Sequence, residues 1–308
     1  MFIPLSESLS RRLERRKGGG GSARGGSGSE KSGSSSEGSS GEDESGSTCG
    51  GEEDPIPLSM GEKTSASAYG YGGGQSIIIP AGQLFAGRSA GGGTRDQIYG
   101  TRTYGSGYPG VTGRGVTGRG FPFWFWPMVW GSEAATTQSY LNGSEYGDGF
   151  NTSRVGGPLM EATFVSNNSD LLNTTLHILS DNTTIISLID SIDLNCSSHL
   201  SSSSSKLPSP FNISSPSAPQ PEQAIQYYRA SSAVLTLDEY NNSATLSSWE
   251  NTPDSLLPPN IDIQLLDCLN QTIGLAMPLV NGCAFLAVPR MRTLVLLATI
   301  VPWVLSLL

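Results

Sequence analysis

The chain has 308 residues and a net charge of −9 at pH 7, from 18 Lys and Arg against 27 Asp and Glu. This acidic balance weighs against a chain whose main partner is nucleic acid. There is also no Gly-x-Ser-x-Gly elbow, no phosphate-binding Gly-x-x-x-x-Gly-Lys loop and no histidine with metal-ligand neighbours, so no catalytic residue, metal site or cofactor is assigned. Of 39 glycines, all but Gly274 and Gly282 lie at or before Gly157, and every asparagine lies at or after Asn142. Two compositionally different stretches therefore meet near residues 142–157.

The first stretch begins with a basic N-terminus, residues 1–17. Phe2, Leu5, Leu9 and Leu13 fall at near-helical spacing beside Arg11, Arg12, Arg15 and Arg16. This reads as a frayed terminus or as a short amphipathic helix on an anionic membrane surface. It lacks the apolar core of a secretory signal peptide. Residues 18–74 form a Gly/Ser/acidic linker that cannot bury enough apolar area to offset chain entropy, which predicts disorder. Its acids, among them Glu42, Asp43 and Glu44, have no rigid scaffold on which to hold a metal.

Residues 75–131 are richer in Gly, Arg and Tyr. Ile77, Ile78 and Ile79 predict a short strand stopped by Pro80. Arg88, Arg95, Arg102, Arg114 and Arg119 interleave with Tyr99, Tyr104 and Tyr108, either as a chain of tight turns or as a segment that tracks a single-stranded nucleic acid. A doubled Val-Thr-Gly-Arg-Gly then runs into an aromatic plug of Phe121, Phe123, Trp124, Phe125, Trp126 and Trp130. As a helix the ten residues of the plug would span about 15 Å, half of a bilayer core, and Pro122 and Pro127 oppose a helix. The plug is expected to cover an apolar face of the following domain or to sit at a membrane interface, with the Gly-Arg repeat as a flexible hinge.

The stretch "AGQLFAGRSAGGGTRDQIYGTRTYGSGYPG", the Gly-Arg repeat and "FPFWFWPMVWG" resemble glycine-rich proteins of mushroom-forming (basidiomycete) fungi. The resemblance covers the Arg-Gly block, the plug and the domain after it. That family has no assigned activity, so the resemblance implies no catalytic residue and no enzyme.

Residues 142–282 carry the elements of a small, acidic α+β domain of antiparallel strands backed by helices. "MEATFVS", "TTLHILSD" and "AVLTLDEY" predict strands. "TTIISLIDSIDLNC" places Ile185, Leu188, Ile189, Ile192 and Cys196 on one helical face, and "IDIQLLDCLNQTIGLAM" does the same for Leu265, Cys268, Leu269 and Ile273. "PEQAIQYYRASS" predicts a short helix opened by Pro221. His177 is expected at a strand surface or edge. Asp190 with Asp193, and Asp238 with Glu239, are possible carboxylate pairs for glycoside hydrolysis, but read better as surface charges.

Nine asparagines head an Asn-X-Ser/Thr sequon: Asn142, Asn151, Asn167, Asn173, Asn182, Asn195, Asn212, Asn241 and Asn270. Chance in so Ser/Thr-rich a segment gives roughly four. N-glycan acceptors imply a lumenal and then extracellular surface. In that compartment Cys196 and Cys268, each on the inner face of a helix, are expected to form a disulfide. The chain ends with small residues at Asn281, Gly282 and Cys283, a spacer holding Arg290 and Arg292, and a charge-free hydrophobic tail at residues 293–308. This is the layout of a GPI-attachment signal with attachment at Asn281 or Gly282. A plain C-terminal tail anchor is the competing reading.

The sequence therefore predicts a largely disordered Gly/Ser-rich N-terminal half, a small α+β domain and a C-terminal hydrophobic tail. The expected role is a non-enzymatic cell-surface glycoprotein, attached to the outer side of the plasma membrane through its tail, with a cell-wall or protein partner. The alternative is a tail-anchored protein on the cytosolic face of an internal membrane, whose Arg-Gly segment binds RNA or another acidic partner.

Overall fold

The computed structural model describes residues 56–58, 64–131, 138–141, 144–168, 170, 174–248 and 251–282. These belong to one compact unit, Thr48–Leu308. Residues 1–17, the linker through Asp54, Asn142, Asn173, Cys283 and the tail at 293–308 lie outside the described residues. In chain order the elements are β1 (Ile56–Leu58), β2 (Thr64–Ser67), β3 (Ile77–Ile78), β4 (Ser89–Ala90), β5 (Leu159–Val165), β6 (Thr175–Asp181), α1 (Asn182–Cys196), β7 (Ser209–Pro210), β8 (Ala224–Tyr228), β9 (Ala233–Leu237), α2 (Ile263–Ala276) and β10 (Leu279–Val280).

The centre is a five-stranded antiparallel sheet in the order β7-β5-β6-β9-β8. Successive side chains of a strand point to opposite faces, and both faces of β9 are buried. Neighbouring residues of β8 show what covers each face. The Tyr227 hydroxyl accepts a hydrogen bond from the Trp130 indole, and its ring meets Tyr104. The next residue, Tyr228, donates to Asn270 of α2 on the opposite face. The sheet thus lies between the helices and the glycine-rich segment with its plug.

Each helix starts at an aspartate. Asp181 accepts from the Thr184 backbone N–H, and Asp262 accepts from that of Leu265, which satisfies one orphan donor at each helix start. Ile185, Leu188, Ile189, Ile192 and Cys196 of α1 are all buried, as are Leu265, Leu269 and Ile273 of α2. A disulfide joins Cys196 to Cys268 and ties the two helices together.

Two expectations about the course of the chain fail. "PEQAIQYYRASS" is not a helix. Pro221 opens only a single 3-10 turn, Pro221–Gln223, and the chain then enters β8. Tyr227 and Tyr228 are both buried, and adjacent residues reach two covered faces only with a period of two. Residues 64–131 are not part of a disordered half. Ile79, Ile98, Tyr104, Tyr108, Val116, the plug and Leu159–Val280 side chains share one hydrophobic core. Composition misleads here because glycine serves close backbone packing. Gly105 has φ +92, and a Cβ there would overlap the Gly115 carbonyl.

The connection from β8 to β9 is an unusual turn. Arg229, Ala230 and Ser231 all have positive φ, at 49, 49 and 59°. Left-handed backbone costs a non-glycine residue about 1 kcal/mol. The glycine-rich segment holds this turn in place: Arg229 N–H donates to Ile98 O, Met128 N–H to Ser231 O, and Gly105 N–H to the Ser231 hydroxyl. A hairpin tip of this kind is usually exposed to solvent. Here the plug segment buries it.

Candidate functional site

The plug lies inside the molecule. Phe121, Phe123, Trp124, Phe125, Trp126 and Trp130 are each at most 5 % exposed. Phe121 pairs with Ala90 of β4, Trp126 meets Phe85 edge-on, and Trp130 meets Phe211. Arg154, itself buried, donates to the carbonyls of Trp126 and Pro127 in the middle of the plug, and burial lowers its pKa to about 10. Arg229 stacks 3.4 Å over the Phe125 ring and forms a 2.6 Å ion pair with Asp181. Asp181 therefore caps α1 and neutralises the cation that underlies the plug.

The arginines of the glycine-rich segment are internal staples. Arg88 pairs with Glu145 at 2.7 Å. Arg95 donates to the Gly70 and Gly274 carbonyls. Arg102 donates to Ser255 O and stacks on Tyr240, Arg114 donates to Ser247 O and stacks on Tyr140, and Arg119 donates to Gly105 O and stacks on Tyr108. Tyr104 and Tyr108 are buried, which removes two of the three rings a nucleic acid would stack on. The repeat is a folded strap, so the hinge expectation is corrected. A small pocket at Arg102, Arg114, Tyr140 and Asp254 has room for about one water, 10 Å³.

One titratable cluster stands out, and it was missed in the sequence. His177 is not at an edge or surface. It lies on β6, between β5 and β9, and is 8 % exposed. Its Nδ1 is 2.7 Å from Glu161 Oε1 and 3.1 Å from Thr163 Oγ1, and its Nε2 is 3.1 Å from Asp238 Oδ1. Burial, the largest influence, would lower the histidine pKa. The hydrogen bonds and charges of Asp238 and Glu161 outweigh it, and the pKa is raised to about 9. An imidazolium between two carboxylates has both nitrogens committed as donors, so it is a structural cross-strand tie and has no lone pair with which to act as a base. The signal for it is a cross-strand row, which becomes readable only once the register of three strands is known.

The raised pKa gives a pH prediction. The folded state holds this proton more tightly than the unfolded chain, so the stabilisation is complete below pH 6.5 and is lost as pH rises through about 9. Its size is at most roughly 3 kcal/mol, discounted because Asp238 is partly solvated. Thermal melting should fall between pH 7 and 10 in the native chain, and His177→Gln should flatten that slope. Equal slopes for both proteins would contradict this assignment.

The carboxylate pairs do not face one another across a cleft. Asp193 is held by Lys206 at 2.6 Å and Asp238 by His177, while Asp190 is exposed. Among the described residues there is no group of three or more His, Cys, Asp or Glu fit to hold a metal.

Of the sequon asparagines, Asn167, Asn195, Asn212 and Asn241 are exposed, and Asn151, Asn182 and Asn270 are half-buried. Asn142 and Asn173 lie outside the described residues. At the proposed attachment point, the Asn281 side chain accepts from Gly72 N–H at 2.9 Å and donates to the Ser67 hydroxyl at 2.7 Å. Gly282 N–H donates to Gly72 O. Both candidate residues thus close the described part of the fold against the Gly72–Gly73 backbone. The Cys196–Cys268 bond closes 72 residues, worth about 4 kcal/mol by chain entropy. Reduction should lower the denaturant midpoint accordingly, and an unchanged midpoint under reductant would contradict that value.

Comparison with known proteins finds no matching family model, no matching curated protein and no matching solved structure. Among the described residues no helix is long and apolar enough to cross a membrane.

Proposed function

We propose that this chain is a non-enzymatic cell-surface glycoprotein of a fungus, attached to the membrane through its C-terminal tail and acting in a structural or interaction role. The observation that carries the reading is the Cys196–Cys268 disulfide between the two helices, because such bonds persist in oxidising compartments. Four exposed sequon asparagines on the same domain support it. The internal use of the glycine-rich segment's arginines favours it over an RNA-binding role, because staples donating to backbone carbonyls are not free to track phosphates.

The test is the full-length chain from its own host, run on a gel before and after N-glycosidase. A drop in mass equal to several glycans is the expected result. An unchanged band, with free thiols at Cys196 and Cys268, would sink the proposal and leave a cytosolic topology.

A further inference from the structure

Among the described residues, the exposed sequon asparagines are not spread evenly over the fold. The sheet has two ends. One holds the end of β5 at Val165, the start of β6 at Thr175 and the end of β9 at Leu237, because these strands pair Val165 with Thr175 and Leu176 with Leu237. The other holds Leu159, Asp181 and the turn at Arg229–Ser231.

Three of the four exposed sequon asparagines lie at the first end. Asn167 follows β5, and its N–H donates to His199 O just beyond α1. Asn195 is in the last turn of α1, which begins at the far end at Asp181. Asn241 follows β9, and its neighbour Asn242 donates its N–H to Glu222 O at the start of β8. Asn212 is the exposed exception, following β7 where Phe211 N–H meets Leu159 O.

The C-terminal exit is at the other end. Helix α2 begins where Asp262 accepts from the Ser166 hydroxyl. Its 14 residues carry the chain about 21 Å to Pro278, whose carbonyl accepts from Arg229. The chain then pairs with β2 and reaches Gly282.

We propose that N-linked oligosaccharides occupy Asn167, Asn195 and Asn241 and form a cap on the end of the domain remote from the C-terminal exit. The proposal rests on the secretory reading above. At Asn195 a glycan replaces one amide hydrogen and leaves the other for the 2.7 Å bond to Ser191 O. Asn270 is different. Its side-chain oxygen accepts from the buried Tyr228 hydroxyl and its backbone carbonyl accepts from the Tyr99 hydroxyl, so both tyrosines of a packed ring pair hold the residue. Asn182 is half-buried in the first turn of α1. Both are less accessible than Asn167, Asn195 and Asn241, which disfavours a bulky, hydrated substituent. A cap at the remote end places these three sugars away from a membrane that holds the tail, and Asn212 is the one exposed sequon asparagine among the described residues on the exit side.

The experiment is peptide mapping by mass spectrometry of the full-length chain from its own host, deglycosylated in heavy-oxygen water, with an enzyme-free control for spontaneous deamidation. Heavy-oxygen aspartate is expected at positions 167, 195 and 241, with loss of the signal at 182 and 270. Label at Asn182 or Asn270 equal to that at Asn241 would overturn the cap and leave the secretory reading standing. So would bare Asn167, Asn195 and Asn241 in a chain glycosylated elsewhere. An absence of label at every sequon would overturn both.

Discussion

Replacing Trp124, Trp126 and Trp130 together with alanine should abolish cooperative thermal unfolding of residues 64–282. A buried Trp→Ala change costs about 3–5 kcal/mol, and a domain holds only about 5–15 kcal/mol in total. Trp130→Ala alone should lower the Tm by roughly 10 °C, because it also strips the Tyr227 hydroxyl of its donor and removes the edge contact with Phe211. Calorimetry with near-UV circular dichroism reads both effects. A triple variant that melts like the native chain would mean that the plug covers nothing the fold requires.

Asp181→Ala should be the most damaging single change to a charged residue. It removes the cap of α1, worth about 1 kcal/mol, and leaves Arg229 buried without a counter-ion, worth about 3–5 kcal/mol. Asp181→Asn keeps an acceptor for Thr184 but loses the charge, so it should fall between the two. Denaturant titration distinguishes them. If Asp181→Ala lies within 1 kcal/mol of the native chain by this scale, the pair is not the keystone described here.

The helices were legible because their signals are local. Ile185, Leu188, Ile189 and Ile192 repeat at three and four residues and are buried at that period. The disulfide followed from two cysteines on two inner faces. The strand at Ala224–Tyr228 was misread because Pro221 is an honest turn starter, and nothing nearby says that the turn ends after three residues. That information sits in Trp130 and Asn270, which need Tyr227 and Tyr228 on opposite faces. His177 was misread for a similar reason, since its partners Glu161 and Asp238 are strangers in sequence. The glycine-rich segment carried the least legible structure. Its glycines read as disorder, and its Arg/Tyr pattern fits both a chain of tight turns and a nucleic-acid segment, while the burial of Tyr104, Tyr108 and Val116 depends on partners distant in sequence.

The central claim is that the glycine-rich strap and plug are one folded body with the α+β sheet. Hydrogen exchange on the full-length chain tests it most directly. The amides of Gly100, Gly115 and Met128, bonded to Tyr227 O, Tyr104 O and Ser231 O, should exchange in the same slow class as those of β6 and β9. Rapid exchange across residues 98–131 beside a protected sheet would contradict the claim and return the segment to the role of a tether.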